Sequence, residues 1–216
     1  LAADYVHPCT GSAEAGFTVP ASDHVTIDGC VLTSAVTIGS VASGSTVTIK
    51  ATTAVRVTFS AALTGVTVNI EGSTIAAGST ATPLSFSGAL TNTPISIKAG
   101  TAITCTDKML ITMSSNMINS PLTVSGNSRL TLTASGSIYW DVIKIFGSTV
   151  SGGGFTFSDC TVAGPYVLVR IDYTTITASP FTFTNVAMDV LMGAYPGRAG
   201  YGFTDSPVTI TNSRIA

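Results

Sequence analysis

A short apolar pattern recurs along this chain: an apolar residue, any residue, a second apolar residue, four further residues and a third apolar residue. Copies begin at Val25, Val68, Ile111, Ile143, Phe155, Val169, Phe181 and Val208. Because side chains alternate between the two faces of a strand, each copy predicts a short strand with one buried face. Recurrence of one such unit along the chain predicts a repeat architecture.

The spacing of the copies indicates which repeat architecture this is. Val25, Val47 and Val68 are 22 and 21 residues apart, and Phe155 and Phe181 are 26 residues apart. A unit of this length with two or three short strands is typical of one coil of a parallel β-helix. Each coil leaves an apolar face that only its neighbours bury, so the coils are expected to fold as one array.

The predicted fold is therefore all-β, a single-stranded parallel β-helix (β-solenoid) of roughly nine coils over residues 25–216. The alternative is a β-sandwich, in which short strands recur at similar intervals. Sandwich hairpins favour Asn-Gly or Asp-Gly turns. The chain has one such pair, Asp28-Gly29, and it lies inside the repeat. The β-helix is favoured for this reason.

Most copies carry a characteristic residue two positions after the apolar pair. Gly, Asn and Asp tolerate a left-handed backbone, so this position is predicted to turn the chain at a corner of the coil. Ser115 and Tyr173 occupy it in two copies and are exceptions. The predicted corner residues are Gly29, Gly72, Gly147, Asp159, Asn185 and Asn212.

The two ends of the array are expected to differ from its middle. Residues 1–24 are less periodic and are predicted to cap the first coil. Cys9 and Cys30 are 21 residues apart, about one coil, and are candidates for a disulfide between neighbouring coils. No bridge is predicted for Cys105 and Cys160. The last copy of the pattern reaches the end of the sequence, so we expect an open coil that either continues in a longer protein or docks on another copy.

Composition excludes some classes of function. Charged residues make up 9% of the chain and the net charge is −2, with the basic residues scattered. Nucleic-acid binding, which needs a clustered positive face, is therefore not expected. No apolar run reaches the length of a membrane-spanning helix. Scarce lysine and abundant Ser and Thr favour an extracellular or cell-surface protein.

The sequence offers little to support catalysis. Asp28, Glu71 and Asp172 share the position just before a corner, but they lie far apart in the chain and are expected to be solvated. His7 and His24 both fall in the cap, without the spacing of a metal site. We predict no enzyme activity, no bound metal and no cofactor.

Two clusters are candidate contacts for a partner or ligand. Tyr139, Trp140 and Asp141 place aromatic rings beside a carboxylate, which suits a sugar or a protein surface. In a strand one of the two aromatic side chains must point inward, so filling of the core is the favoured role for these aromatic residues. The second cluster lies in a Gly-rich insertion near residues 189–207, because long insertions protrude from a solenoid and often bind partners. Its candidate contacts are Tyr195, Arg198 and Tyr201.

Threonine recurs at the outward position between the apolar residues, as at Thr26, Thr156 and Thr209. Stacked coils would align these side chains into a ladder like those of ice-binding solenoids. Asn69, Lys144 and Arg170 are expected to interrupt the ladder, and the high β-propensity of Thr is an alternative explanation.

Segments 155–162 and 208–215 resemble the coils of the pectin-lyase-like right-handed parallel β-helix superfamily. Segment 119–130 is similar in style to the dispersed-gene-family surface proteins of trypanosomes, which are very large, Ser/Thr-rich, repeat-containing proteins associated with adhesion. The first resemblance implies a fold and the second a role at a cell surface. Neither supplies catalytic residues.

We therefore predict a non-enzymatic extracellular structural or adhesive module, taken from a larger surface protein or assembling end to end into a filament. The predicted partners are other copies, neighbouring repeats, or a cell-surface protein or glycan. A carbohydrate-binding or carbohydrate-cleaving β-helix and an ice-binding solenoid are the alternatives.

Overall fold

The computed structural model describes residues 3–79, 81–106, 108–133, 141–146, 149–164, 167–172, 174–188, 191–194 and 202–215. Strands wind into successive coils that form four parallel sheets, and no helix occurs among these residues. The predicted all-β parallel β-helix is confirmed, with eight coils and part of a ninth.

The strands are numbered in chain order. The first two coils contain β1 (Tyr5–Val6), β2 (Ala13–Glu14), β3 (Thr18–Val19), β4 (Val25–Asp28), β5 (Val31–Leu32) and β6 (Ala35–Ile38). The next two contain β7 (Thr46–Lys50), β8 (Thr53–Ala54), β9 (Arg56–Phe59), β10 (Leu63–Thr64), β11 (Thr67–Glu71), β12 (Thr74–Ala76), β13 (Leu84–Phe86) and β14 (Leu90–Thr91).

Coils five and six contain β15 (Ile95–Lys98), β16 (Ala102–Cys105), β17 (Ile111–Met113), β18 (Met117–Ile118), β19 (Leu122–Val124), β20 (Arg129–Leu132), β21 (Asp141–Phe146) and β22 (Thr149–Ser151). The last coils contain β23 (Phe155–Ser158), β24 (Thr161–Ala163), β25 (Val167–Asp172), β26 (Thr175–Thr177), β27 (Phe181–Thr184), β28 (Ala187–Met188), β29 (Leu191–Ala194), β30 (Gly202–Thr204), β31 (Val208–Thr211) and β32 (Arg214–Ile215).

Each sheet collects one strand from each successive coil. Sheet 1 has the order β1-β4-β7-β11-β15-β19-β23-β27-β31, and sheet 2 has the order β2-β5-β8-β12-β16-β20-β24-β28-β32. Sheet 3 runs from β3 through β6, β9, β13, β17, β21 and β25 to β29. Sheet 4 contains β10, β14, β18, β22, β26 and β30. Strand order in every sheet follows chain order, as a solenoid requires.

The core is a set of columns in which like side chains stack from coil to coil. Val25, Val47 and Val68 are in register in sheet 1 and are fully buried. Farther along the same column the rings of Phe155 and Phe181 stack with centroids 4.7 Å apart. Burying a side chain of this kind stabilises a fold by about 1.5–3 kcal/mol, so the columns hold the coils together.

The copies of the repeat belong to two sheets rather than one. Those at Val25, Val68 and Phe155 lie in sheet 1, whereas those at Ile111 and Ile143 lie in sheet 3. Sheet 1 is followed by a left-handed corner, with φ between 48° and 69° at every described residue of the predicted set: Gly29, Gly72, Asp159, Asn185 and Asn212. Gly147 lies outside the described residues.

This division accounts for Ser115, an exception in the repeat. Ser115 follows sheet 3 and is not among the positive-φ residues, so that corner does not need a residue tolerant of left-handed backbone. A second left-handed corner precedes sheet 1 instead, at Gly65, Asn92, Asn119, Ala178 and Asp205.

Within the segment 1–24, predicted as a cap, strands β1, β2 and β3 form a coil of their own. Strands β1, β2 and β3 pair in parallel with β4, β5 and β6. The segment covers the second coil by continuing the sheets, with strands only two residues long. Its weak periodicity follows from this length, since two residues contain one inward position.

Candidate functional site

The last described coil exposes apolar side chains that the rest of the solenoid buries. Val208 and Ile210 in β31 are 49% and 48% exposed. Their register partners one coil earlier, Phe181 and Phe183, are 0% and 1% exposed. The chemistry of the positions is the same, so the difference comes from the absence of a covering coil among the described residues.

Phe203 in β30 extends the same surface. It pairs with the buried Ile176 of the preceding coil and is itself exposed. Its ring meets the ring of Phe181 edge-on at 5.6 Å. Together with the backbone edge of β31, the last described strand of sheet 1, Val208, Ile210 and Phe203 form an exposed end of the described stack. We call these three residues and that edge the C-terminal surface.

The other end is covered by aromatic rings. The imidazole of His7 stacks on Phe17 with a centroid distance of 3.6 Å, and Tyr5 packs beside them. Tyr5 and Phe17 also pack against the main core. Burial, followed by the charge of Glu14, raises the pKa of the Tyr5 hydroxyl above its ordinary value.

A disulfide joins Cys9 in the first coil to Cys30 in the second, with Cα atoms 5.1 Å apart. These are the two cysteines that the one-coil spacing paired. Cys105 and Cys160 are free and buried. Burial, with a smaller contribution from Asp159, raises the pKa of the Cys160 thiol to about 12.

The outer face of sheet 1 carries a ladder of hydroxyl and amide side chains. The registered residues are Thr26, Thr48, Asn69, Ser96, Thr123, Thr156, Thr182 and Thr209. The expected interruption at Asn69 occurs, because Asn69 lies in register between Thr48 and Ser96. Those expected at Lys144 and Arg170 do not occur, because both residues lie in sheet 3. Sequence spacing missed this because it merged two sheets into one repeat.

A second row of registered side chains at the end of the sheet 1 strands differs between the early and the last coils. In the early coils it contains the registered charges Asp28, Lys50, Glu71 and Lys98, and Lys98 Nζ lies 3.1 Å from Glu71 Oε1. In the last three coils the row contains Ser158, Thr184 and Thr211. One half of this face is charged and the other is an uncharged grid of hydroxyl groups.

Buried hydroxyl groups form a second ladder inside the corner after sheet 1. The Thr52 amide donates a hydrogen bond to Ser73 Oγ, and the Ser73 amide donates one to Thr101 Oγ1, at 3.1 Å and 3.3 Å. Each hydroxyl in turn donates to a carbonyl at the end of its own strand. The ladder satisfies backbone donors that the corners leave without a sheet partner.

A shallow polar cavity of about 300 Å³ lies on the outside of coils six to eight. Asn127, Arg129, Asp159 and Asn185 contribute its polar lining, and Asn185 Nδ2 donates to Asp159 Oδ1 at 2.9 Å. Asp159 is the one acid among the described residues that line it. Glycoside hydrolysis uses two carboxylates, so the lining suits binding of a polar ligand better than cleavage.

The predicted contact residues are placed only in part. Asp141 is 2% exposed, and its Oδ2 lies 3.6 Å from Nη1 of Arg170 in the neighbouring coil. This placement corrects its prediction as a partner or ligand contact, because the carboxylate is buried in an ion pair with Arg170. Tyr139, Trp140, Tyr195, Arg198 and Tyr201 lie outside the described residues.

Comparison with protein-family models, with curated proteins and with solved structures finds no match to this chain. The pectin-lyase-like superfamily and the trypanosomal surface proteins therefore stay predictions. Within the described parts of the chain, no helix is long and apolar enough to cross a membrane.

Proposed function

We propose that this chain is a non-enzymatic structural or adhesive β-solenoid module of the cell surface or extracellular space, and that it associates through its C-terminal surface. The observation that carries the proposal is the exposure of Val208 and Ile210, whose counterparts in sheet 1 are buried in the preceding coils. Exposed apolar positions beside an open strand edge favour another strand-bearing surface as the covering partner.

The covering partner that best fits this surface is a coil of the same cross-section. A longer chain would supply it as its next coil. For the 216-residue chain, a second copy supplies it by placing its own C-terminal surface against the first. An interface that uses the same patch on both copies is isologous and closes at two subunits. Because aromatic rings cover the other end, the dimer is favoured over the filament that the sequence alone suggested.

The cysteines support the extracellular part of the proposal. A disulfide between Cys9 and Cys30 forms and persists in oxidising compartments. The low charge and the many hydroxyl side chains are compatible with such an environment.

The experiment compares the molar mass of three proteins by light scattering over a range of concentrations. The wild-type chain is expected to approach twice its monomer mass of 21.9 kDa. Ile210→Lys places a charge in the C-terminal surface and is expected to remain monomeric. Thr209→Lys is the matched control, because Thr209 lies on the outer face of the same strand, and it should dimerise as wild type does.

A wild-type chain that stays monomeric at all concentrations would contradict the proposal. Equal dimerisation of the Ile210→Lys variant would also contradict it, because the interface would then lie elsewhere.

The ice-binding alternative is favoured by one observation, the uncharged hydroxyl grid on sheet 1 in the last coils. Strands about 4.8 Å apart present these hydroxyls at a regular spacing. Thermal hysteresis of the purified chain, lost in Thr182→Lys but kept in the early-coil variant Thr48→Lys, would support it. Absence of hysteresis and of ice shaping would dismiss it.

The carbohydrate-binding alternative is favoured by the polar cavity at Arg129 and Asp159. Binding to a glycan array that is weakened by Arg129→Ala would support it, and cleavage of any polysaccharide would contradict the non-enzymatic proposal.

A further inference from the structure

Four metal-ligating side chains converge at the covered end of the solenoid. They are His7, Cys9 and Glu14 of the first coil and Cys30 of the second. One ligand atom from each lies within 4.8 Å of every other. The cluster is independent of the C-terminal surface, and the proposed function leaves it unexplained. Among the described residues, this is the one group of this kind.

The nitrogen and oxygen donors have the separation that a tetrahedral zinc ion requires. His7 Nε2 lies 3.2 Å from Glu14 Oε2. With zinc–ligand distances of about 2.1 Å and a tetrahedral angle, two such donors lie about 3.4 Å apart. Cys30 is fully buried, and the side chains of His7 and Glu14 are 13% and 20% exposed, so water has limited access to the cluster.

The imidazole is held in the orientation that a metal ligand needs. Tyr5 Oη lies 3.1 Å from His7 Nδ1, and Phe17 stacks on the ring face. When Nε2 binds a metal, Nδ1 carries the proton and donates a hydrogen bond to Tyr5 Oη. Such outer hydrogen bonds fix the ring and the tautomer of metal-binding histidines.

Glu14 has an oxygen without a protein partner. Its Oε1 is buried, and no described residue donates a hydrogen bond to it. Leaving a buried polar atom without a partner destabilises the folded chain, and more so for a charged group. A cation bound at the centre of the cluster would remove that destabilisation.

We propose that His7, Cys9, Glu14 and Cys30 bind one Zn²⁺ ion when the cysteines are reduced. The disulfide and the zinc site are then alternative cross-links between the first and second coils. A phosphine reductant takes one oxygen atom from water to become a phosphine oxide, and the Cys9–Cys30 bond becomes two thiols. Zinc binding releases the two thiol protons, leaving two thiolates, one imidazole and one carboxylate as ligands.

The test uses the full chain, reduced with a phosphine and then transferred to anaerobic buffer, with Co²⁺ as the spectroscopic probe. We expect a thiolate-to-cobalt charge-transfer band and the visible bands of tetrahedral cobalt, saturating at one equivalent. Zn²⁺ should abolish these bands, and native mass spectrometry should show one zinc bound with loss of two protons. The oxidised chain should show neither the cobalt bands nor bound zinc.

Variants separate this site from other side chains. Glu14→Gln and His7→Asn should each weaken cobalt binding at least about tenfold. His24→Asn and the double variant Cys105→Ala/Cys160→Ala are the matched controls and should bind as wild type does. Bands that persist in Cys9→Ser/Cys30→Ser, or that ignore Glu14→Gln and His7→Asn, would overturn the proposal.

A second measurement does not depend on the variants folding well. The midpoint of thermal unfolding of the reduced chain should rise when one equivalent of Zn²⁺ is added, toward the midpoint of the oxidised chain. Zinc should leave the oxidised chain unchanged. No cobalt band and no thermal shift in the reduced wild-type chain would overturn the proposal.

Discussion

The two ends of this solenoid contain the same apolar triplet in different surroundings. Val25-Thr26-Ile27 near the start and Val208-Thr209-Ile210 near the end both lie in sheet 1. The valine and isoleucine of the first triplet are 0% exposed, and those of the second are about half exposed. The same local sequence is therefore buried in one place and half exposed in the other. The difference depends on whether a neighbouring coil covers it.

The difference lies in how each interior is covered. At the first end, two-residue strands, the stacked rings of His7 and Phe17 and the Cys9–Cys30 disulfide overlie the second coil. At the other end, the four-residue strand β31 ends the described stack with its apolar side chains accessible. At the first end the covering side chains differ from the repeat, whereas β31 keeps the repeat pattern and its apolar side chains are exposed.

The largest expected effect compares two phenylalanines that touch each other. Phe181 is fully buried, so Phe181→Ala should lower the free energy of unfolding by about 3–5 kcal/mol. Phe203→Ala, at the C-terminal surface, should cost the monomer less than Phe181→Ala does, because the ring of Phe203 is 39% exposed. Urea denaturation at low protein concentration measures both. Equal losses would mean that the last coil is as well covered as the one before it.

Loss of the disulfide should be the next largest effect. Cys9 and Cys30 close a loop of 21 residues, and such a cross-link is worth about 3 kcal/mol in the chain-entropy model. Cys30→Ser, in metal-free buffer, should lower stability by about this amount and increase hydrogen exchange in residues 5–19 first. Faster exchange in the last coils instead would contradict this prediction, because loss of the disulfide should loosen the first coil.

The hydroxyl ladder gives a smaller effect that again depends on position. Ser73→Ala removes the acceptor of the buried Thr52 amide and should cost about 1–3 kcal/mol. Ser213 accepts from the Val186 amide in the same way. Because water reaches Ser213 in the last coil, Ser213→Ala should cost less than about 1 kcal/mol. Chemical denaturation of the two variants checks this order.

The ionisation of the Cys160 thiol tests whether water reaches the interior two coils before the C-terminal surface. Its thiol pKa is raised from 9.0 to about 12 in the folded chain. The stability contributed by the protonated thiol is fully present below pH 9 and is lost as the pH rises through about 12, because the unfolded chain ionises first. Wild type should therefore lose more stability over this range than Cys160→Ala. Parallel curves would show that water reaches the thiol.

The charged half of sheet 1 should give the smallest effect. Glu71 and Lys98 form an ion pair that is partly exposed, and such pairs contribute at most about 1 kcal/mol. Lys98→Met should therefore change the unfolding midpoint only slightly, and the change should shrink at high salt. A large effect that is insensitive to salt would contradict the assignment of Glu71–Lys98 as a weak, screened ion pair.

Much of the fold was predictable because the inward-facing apolar residues that form the buried columns recur in a recognisable pattern along the sequence. The left-handed corners at Gly29 and Asn185 were also predictable, since few residues accept that backbone. Ala51, Ala99 and Ala178 adopt it too, with φ between 46° and 56°. No sequence signal marks them, because stacking against neighbouring corners overrides the preference of alanine.

The sites were less predictable than the fold. Spacing placed Cys9 beside Cys30, and position 7 lies two residues before Cys9, yet nothing in the spacing indicated that Glu14 would reach His7. The repeat pattern predicts an open last coil with exposed backbone groups and apolar side chains. That Phe203 joins its surface follows only from the pairing of β30 with β26.

The most direct test of the difference between the ends is hydrogen–deuterium exchange measured at low and high concentrations of the wild-type chain. The account predicts that peptides covering residues 202–215 become protected at high concentration, while those covering residues 3–19 do not change. Protection of residues 3–19, or no change at either end, would contradict the assignment of the last coil as the interface.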